Sequence, residues 1–147
     1  MASKFNTERI MNGTFGEVWF DGDLVSECYG LEARVEIEKE EIAVCGKLGT
    51  DTKMMGYKGT GSTKMHKTNS RMMIKLSDKI KRGENPRLQI LSALKDPAAF
   101  GAERVLIKDT CFDDLTLANW EAKAKGEVEC PFTFTDWELL DTIAPRE

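Results

Sequence analysis

One histidine, His66, is all that this chain of 147 residues offers as a side chain titrating near neutrality. That scarcity excludes most triad chemistry, because His66 would have to be the base in every version of it. Its surroundings, "TKMHKT", read as a polar strand position. The cysteines lack metal-site spacing: Cys28, Cys45, Cys111 and Cys130 stand 17, 66 and 19 residues apart, with no CxxC pair. Zinc ligands come grouped at short intervals, so no metal is expected, and the four read as small apolar residues. No apolar run approaches the roughly 18 residues of a membrane-spanning helix. The opening "MASKFNTERIMNGT" has no apolar h-region, so no secretory signal is expected.

Nucleotide chemistry is missing too. "GYKGTGST", Gly56 to Thr63, resembles a phosphate cradle, but Ser62 stands where a Walker A loop requires lysine. Read as GxGxxG, it has Lys64 at the third glycine position, and strand-like "STKMHKT" follows where a helix should open. The adjacent acids Asp113-Asp114 and Glu40-Glu41 would point to opposite faces of a strand, so neither pair makes an acid–base dyad. No GxSxG, HExxH or EF-hand pattern occurs. The chain reads as non-enzymatic, with no cofactor.

What is present is an ordinary globular composition, 41% hydrophobic and 31% charged, in a length that fits one domain with a real core. The net charge of −4 hides a split. Residues 47–87 carry eleven basic against three acidic side chains, +8, and the remainder carries ten against 22, −12. Such a split suits nucleic-acid binding, or two oppositely charged faces that meet when identical subunits stack.

Residues 1–14 are polar with isolated apolar points, an arm more than a core element. "TFGEVWF" and "LVSECYG" flank the turn "DGD", a hairpin signal. "EARVEIEKE" alternates Ala33, Val35 and Ile37 against Arg34, Glu36 and Glu38, as a half-buried strand does, with a helix as the minor alternative. In "NSRMMIKLSDKIKRG" the period changes. Met73, Leu76 and Ile80 share a stripe with Met72, Asn69 or Ser70 can cap, and Gly83 closes, which predicts a helix over about 70–82. "PRLQILSALKD", "RVLIKDTCFDDLTLANW" and "VECPFTFTDW" return to strand character, Pro131 being placed at an edge or bulge. Six to eight strands with one helix make an antiparallel β-barrel or sandwich with a flanking helix.

The helix with its following strand, "NSRMMIKLSDKIKRGENPRLQILSALKD", and then "GAERVLIKDTCFDDLTLANWEAKAKGEVECPFTFTDWELLD" resemble the tail tube (core) proteins of contractile-tailed bacteriophages. The likeness extends to PBSX-like defective prophages and phage-tail-like bacteriocins. The opening "GTFGEVWFDGD", the Gly/Lys/Met loop, the helix end "IKRGENP" and the closing "PFTFTDWEL" carry it in collinear order over nearly the whole chain. The resemblance implies a structural subunit that forms hexameric rings stacked into the inner tube of a contractile tail. Its implied partners are other copies of itself, the tail sheath protein and baseplate or tail-terminator proteins. DNA would be only transient cargo, and the place is a virion or tail-like particle assembled in the bacterial cytoplasm.

The residues supply a candidate contact. Residues 45–59 read as a loop longer than the 12–15 residues at which loops become functional or disordered. Leu48, Met54, Met55 and Tyr57 are apolar groups that a solvent loop has no reason to carry. Buried on a neighbour, each would contribute roughly 1.5–3 kcal/mol. This loop is expected to be an inter-ring contact ordered on assembly; the alternative folds it back on its own barrel. The alternative function is a small nucleic-acid-binding β-barrel using residues 47–87, although Tyr57 is the one aromatic there on which a base could stack.

Overall fold

The computed structural model describes residues 5–145. Its strands are β1 (Gly16–Phe20), β2 (Asp23–Leu24), β3 (Cys28–Ile42), β4 (Asp51–His66), β5 (Arg87–Leu94), β6 (Glu103–Phe112), β7 (Glu127–Phe134) and β8 (Asp136–Asp141). One helix, α1 (Arg71–Lys81), follows β4. All strand pairs are antiparallel, in the order β2-β1-β5-β6-β7-β4-β3, with β8 pairing on β6. The mainly β reading with one flanking helix holds. The sheet is an open path, and β2 and β3 at its ends do not pair to close a barrel.

The sequence explains the elements. Asp21 and Gly22 take φ of 49° and 88° between β1 and β2, the left-handed pair a two-residue hairpin needs. In α1, Asn69 Oδ1 accepts from Arg71 N at 3.0 Å, and Gly83 closes the other end at φ 74°. Met72 and Leu76 are buried on the sheet, whereas Ile80, placed in the same stripe by sequence, is exposed. Along β7, Cys130, Phe132 and Phe134 alternate into the core. They meet Phe20, Ile90, Ile107 and Phe112 there, with Phe112 edge-on to both Phe20 and Phe132. Pro131 costs no ladder bond to β6, because that pairing reaches only Phe132 and Thr133.

Two expectations are corrected. The loop over residues 45–59 is shorter: Asp51 to Gly59 are the first residues of β4, and the irregular connection covers 43–50. The glycines that suggested a flexible segment are strand positions crossed by aromatic rings. A Cβ at Gly59 would lie 2.5 Å from the Phe134 ring, and one at Gly61 would meet the Phe132 ring and the Glu32 carbonyl. Glycine leaves room for those rings. The second correction is β8: "TDWELL" is not the end of β7 but a separate strand that turns at Thr135 and pairs on β6.

The described part of the N-terminal arm runs over the body in two single 3₁₀ turns, Thr7–Arg9 and Gly13–Phe15. Arg9 Nη1 donates to the Ala98 carbonyl at 2.7 Å, and Asn12 N donates to Asp96 Oδ2 at 2.7 Å. Residues 1–4 of that arm lie outside the described residues.

Candidate assembly surface

β3 and β4 pair along almost their entire length, from Cys28 opposite Met65 to Ile42 opposite Asp51. β7 accompanies β4 only from Gly59 to His66. Beyond that point Glu36–Ile42 and Asp51–Lys58 form a two-stranded arm, about 23 Å long at 3.3 Å per residue. The register determines its faces. Leu31, Ala33, Val35 and Ile37 stand opposite Thr63, Gly61, Gly59 and Tyr57. This face begins over the core, where Leu31 packs and the Phe134 ring crosses Gly59, and becomes more exposed outward: Val35 is 36% and Ile37 52% exposed. The opposite face pairs Glu36 with Lys58 and Glu40 with Lys53, cross-strand opposite charges that favour this register.

The ladder shifts register between Glu38 and Lys39, opposite Gly56 and Met54, leaving Met55 as the extra residue of a bulge. A bulge re-aims side chains and increases local twist. It sets Met54 and Met55 side by side, 54% and 61% exposed. Of the four residues singled out by sequence, these two are brought together. Leu48 stands fully exposed in the 43–50 tip. Tyr57 turns toward its own body: its ring meets Trp137 edge-on at 5.4 Å, and its hydroxyl donates to the Thr135 carbonyl at 3.4 Å. Tyr57 therefore braces the root of the arm. Val35 and Ile37 belong to the same exposed face and were missed, because alternation shows which residues share a face and not whether anything covers it.

The arm is anchored behind by an ion pair. Glu27, in the turn before β3, takes Arg71 Nε at 2.9 Å and Asn69 Nδ2 at 3.2 Å, tying the start of α1 to the hairpin root. Burial alone would raise the Glu27 carboxyl. The hydrogen bonds from Arg71, its own backbone N–H and Asn69, with the Arg71 charge, outweigh burial and hold it below the usual carboxylate range. Burial pushes the Cys130 thiol up to about 11 and raises Cys28 as well. Among the described residues no cluster of His, Cys, Asp and Glu could hold a metal ion, and no helix is long and apolar enough to cross a membrane.

Comparison with known proteins gives these surfaces a context. The family model described as phage tail tube protein matches residues 3–141. A Bacillus subtilis 168 protein named phage-like element PBSX protein XkdM is 29% identical over 139 residues, 93% of this chain and 95% of that protein. YqbM of the same strain is 30% identical over 138 residues, covering 92% and 94%. Among solved structures, a chain of the sheath-tube complex of an extracellular contractile injection system, in its extended state, shares the fold with a TM-score of 0.69. It is 9% identical, with 95% of this chain and 100% of that chain covered.

Proposed function

The chain belongs to the phage tail tube protein family, and from that premise we propose that it polymerises as stacked, hexameric rings into the inner tube of a contractile tail or tail-like particle. The observation that carries the polymerisation is the β3–β4 arm, which leaves the sheet with an uncovered apolar face and two adjacent methionines at its bulge. A monomer gains nothing by holding such a face in water, and exposed apolar patches of this kind mark contact sites. A contact between unlike surfaces of identical subunits builds an open filament when it does not close.

In this reading the arm is the inter-ring contact, and Met54, Met55 and Leu48 are its docking side chains. The tube stands inside a sheath and above a baseplate, in keeping with the sheath-tube likeness. It conducts DNA where the particle carries a genome, and it performs no catalysis. The nucleic-acid reading loses its footing in the fold. Lys53, Lys58 and Lys64 stand opposite Glu40, Glu36 and Glu129, so much of the basic excess along the sequence is compensated across the strands.

The test is electron microscopy of purified protein. The Met54→Ser/Met55→Ser variant leaves every core side chain in place, so it is expected to stay a folded monomer while wild type forms tubes. Full-length tubes from the double variant would refute the arm as the contact.

A further inference from the structure

The sheet has a second apolar surface, half-buried at Trp19, Leu91 and Leu106 and exposed at Leu24, on strands far from the arm in the strand order. On the outward side of β2, β1, β5 and β6, Leu24 pairs with Trp19, Trp19 with Leu91, and Leu91 with Leu106. These four form one row across the sheet, and a groove of about 350 Å³ lined by Trp19, Gly22, Gln89, Leu91 and Leu106 runs along it. The other end of the same sheet has no such row. There the outward positions of β4 and β7 read Lys58, Thr60, Ser62, Lys64, Glu129, Pro131 and Thr133. The apolar row is narrow and bordered by charge: Glu17 and Arg104 flank Ala93 one rung along the same side, and Glu138 of β8 continues the row beyond Leu106.

We propose that this groove is the receptor for the apolar face of the β3–β4 arm of a second copy, with Met54 and Met55 seated against Leu91 and Leu106. The proposal rests on the tube reading above and names the surface that reading leaves open. Three observations select the occupant. The first is size. A row across four strands is about 14 Å long at 4.8 Å per strand, and the arm from Met54, opposite Lys39, to the level of Val35 is about 13 Å at 3.3 Å per residue.

The second is shape. A groove with an aromatic wall at Trp19 and an open end at Gly22, where a Cβ would meet nothing within 4 Å, suits flexible unbranched side chains. The bulge presents two of them together. The third is charge. Lys39 stands directly opposite Met54 on the arm, and the turn bordering the groove carries Asp21 and Asp23, the latter shared with Lys75 at 3.7 Å.

The groove lies on the outward side of the sheet, whereas the arm's apolar face continues from the core side at Leu31, and the arm is held to β7 at its root. A chain therefore does not fill its own groove. Each copy offers one donor and one acceptor, which is the condition for open-ended growth.

The test has two arms. Leu91→Glu and Leu106→Glu each place a charge in the contact without entering the core, and either is expected to raise the protein concentration needed for tube formation by about tenfold or more. In the second arm, a Cys45→Ser protein carrying Met55→Cys and Leu106→Cys is oxidised after assembly. It is expected to give a reducible ladder of oligomers on a gel, absent from either single variant.

Tubes from both glutamate variants at wild-type concentrations overturn the proposal. So does a ladder from Leu106→Cys paired with Trp120→Cys but not with Met55→Cys, because Trp120, 85% exposed in the loop between β6 and β7, is the competing occupant. Should the glutamate variants unfold, the cross-linking arm decides alone, and tubes without a ladder overturn the assignment. Loss of tubes in Met54→Ser/Met55→Ser with tubes kept in the groove variants removes the groove and leaves the tube reading standing. Wild type that forms no tubes removes the tube reading itself.

Discussion

Gly59→Ala isolates the role of the glycines in "GYKGTGST". A Cβ at this position would lie 2.5, 2.6 and 2.7 Å from three atoms of the Phe134 ring, well inside any real contact. The ring is buried and braced by Phe132 and Trp137, at centroid distances of 6.2 and 6.3 Å, so it has little freedom to withdraw. Overpacking of this kind costs about 1–3 kcal/mol. Relief of glycine's conformational entropy returns about 0.5–1 kcal/mol. The net destabilisation is about 1–2 kcal/mol, or roughly 3–8 °C in the melting temperature of a chain this size.

A double-mutant cycle supplies the decisive measurement. In a Phe134→Leu background the obstruction is gone, so Gly59→Ala is expected to be neutral or slightly stabilising by thermal or urea unfolding. The coupling should exceed about 0.5 kcal/mol, the level at which contacting sites depart from additivity. Gly49, whose added Cβ meets nothing within 4 Å, serves as the control and should tolerate alanine. Equal costs for Gly59→Ala in the two backgrounds would refute the reasoning. Gly61→Ala should behave differently, since its Cβ also meets the Glu32 carbonyl and Phe132→Leu cannot remove a backbone atom.

The Glu27 carboxyl is held low in the folded state, so its contribution is present above its unfolded pKa of about 4.3 and fades as pH falls through the folded value. Thermal unfolding between pH 6 and 3 should therefore show a drop in melting temperature below about pH 4 that is shallower in Glu27→Gln. Thiol labelling at pH 8 should find exposed Cys45 in the fast phase and buried Cys130 reacting only on unfolding, since its thiol is pushed up to about 11. Cys45→Ser is expected to remove the fast phase, and fast labelling of Cys130 would contradict its burial.

Much of the fold was legible because its signals are local. The Asp21-Gly22 turn, the cap at Asn69 with Gly83 beyond the helix, and the alternation of Cys130, Phe132 and Phe134 each depend on neighbours within a few residues. The errors came where a residue's meaning lies in a partner far along the chain. Gly59 and Gly61 carry the composition of a flexible loop, and only the rings of Phe134 and Phe132, over seventy residues away, explain them as strand. β8 was hidden for a similar reason. Nothing in "FTFTDWELL" marks Thr135 as the point where the chain leaves β7 to pair on β6.

The assembly surface was legible to a different degree. The apolar side chains between Leu48 and Tyr57 were conspicuous because loops rarely carry them, and the strand geometry then divides their roles. Met54 and Met55 project at the bulge, and Tyr57 braces the root through Trp137 and Thr135. Val35 and Ile37 were hidden by the very regularity that identified their strand. Their alternation with Glu36 and Glu38 describes a sheet with one dry face, and in β3 that face runs past the end of its own core. Period two is a statement about the strand, whereas dryness is a statement about whatever lies against it. Where the first is present without the second, as at Ile37, the proposed tube contact supplies the missing layer. Trp19, Leu91 and Leu106, the half-buried apolar row on the outward side of the same sheet, are the surface proposed to supply that layer to a neighbouring copy.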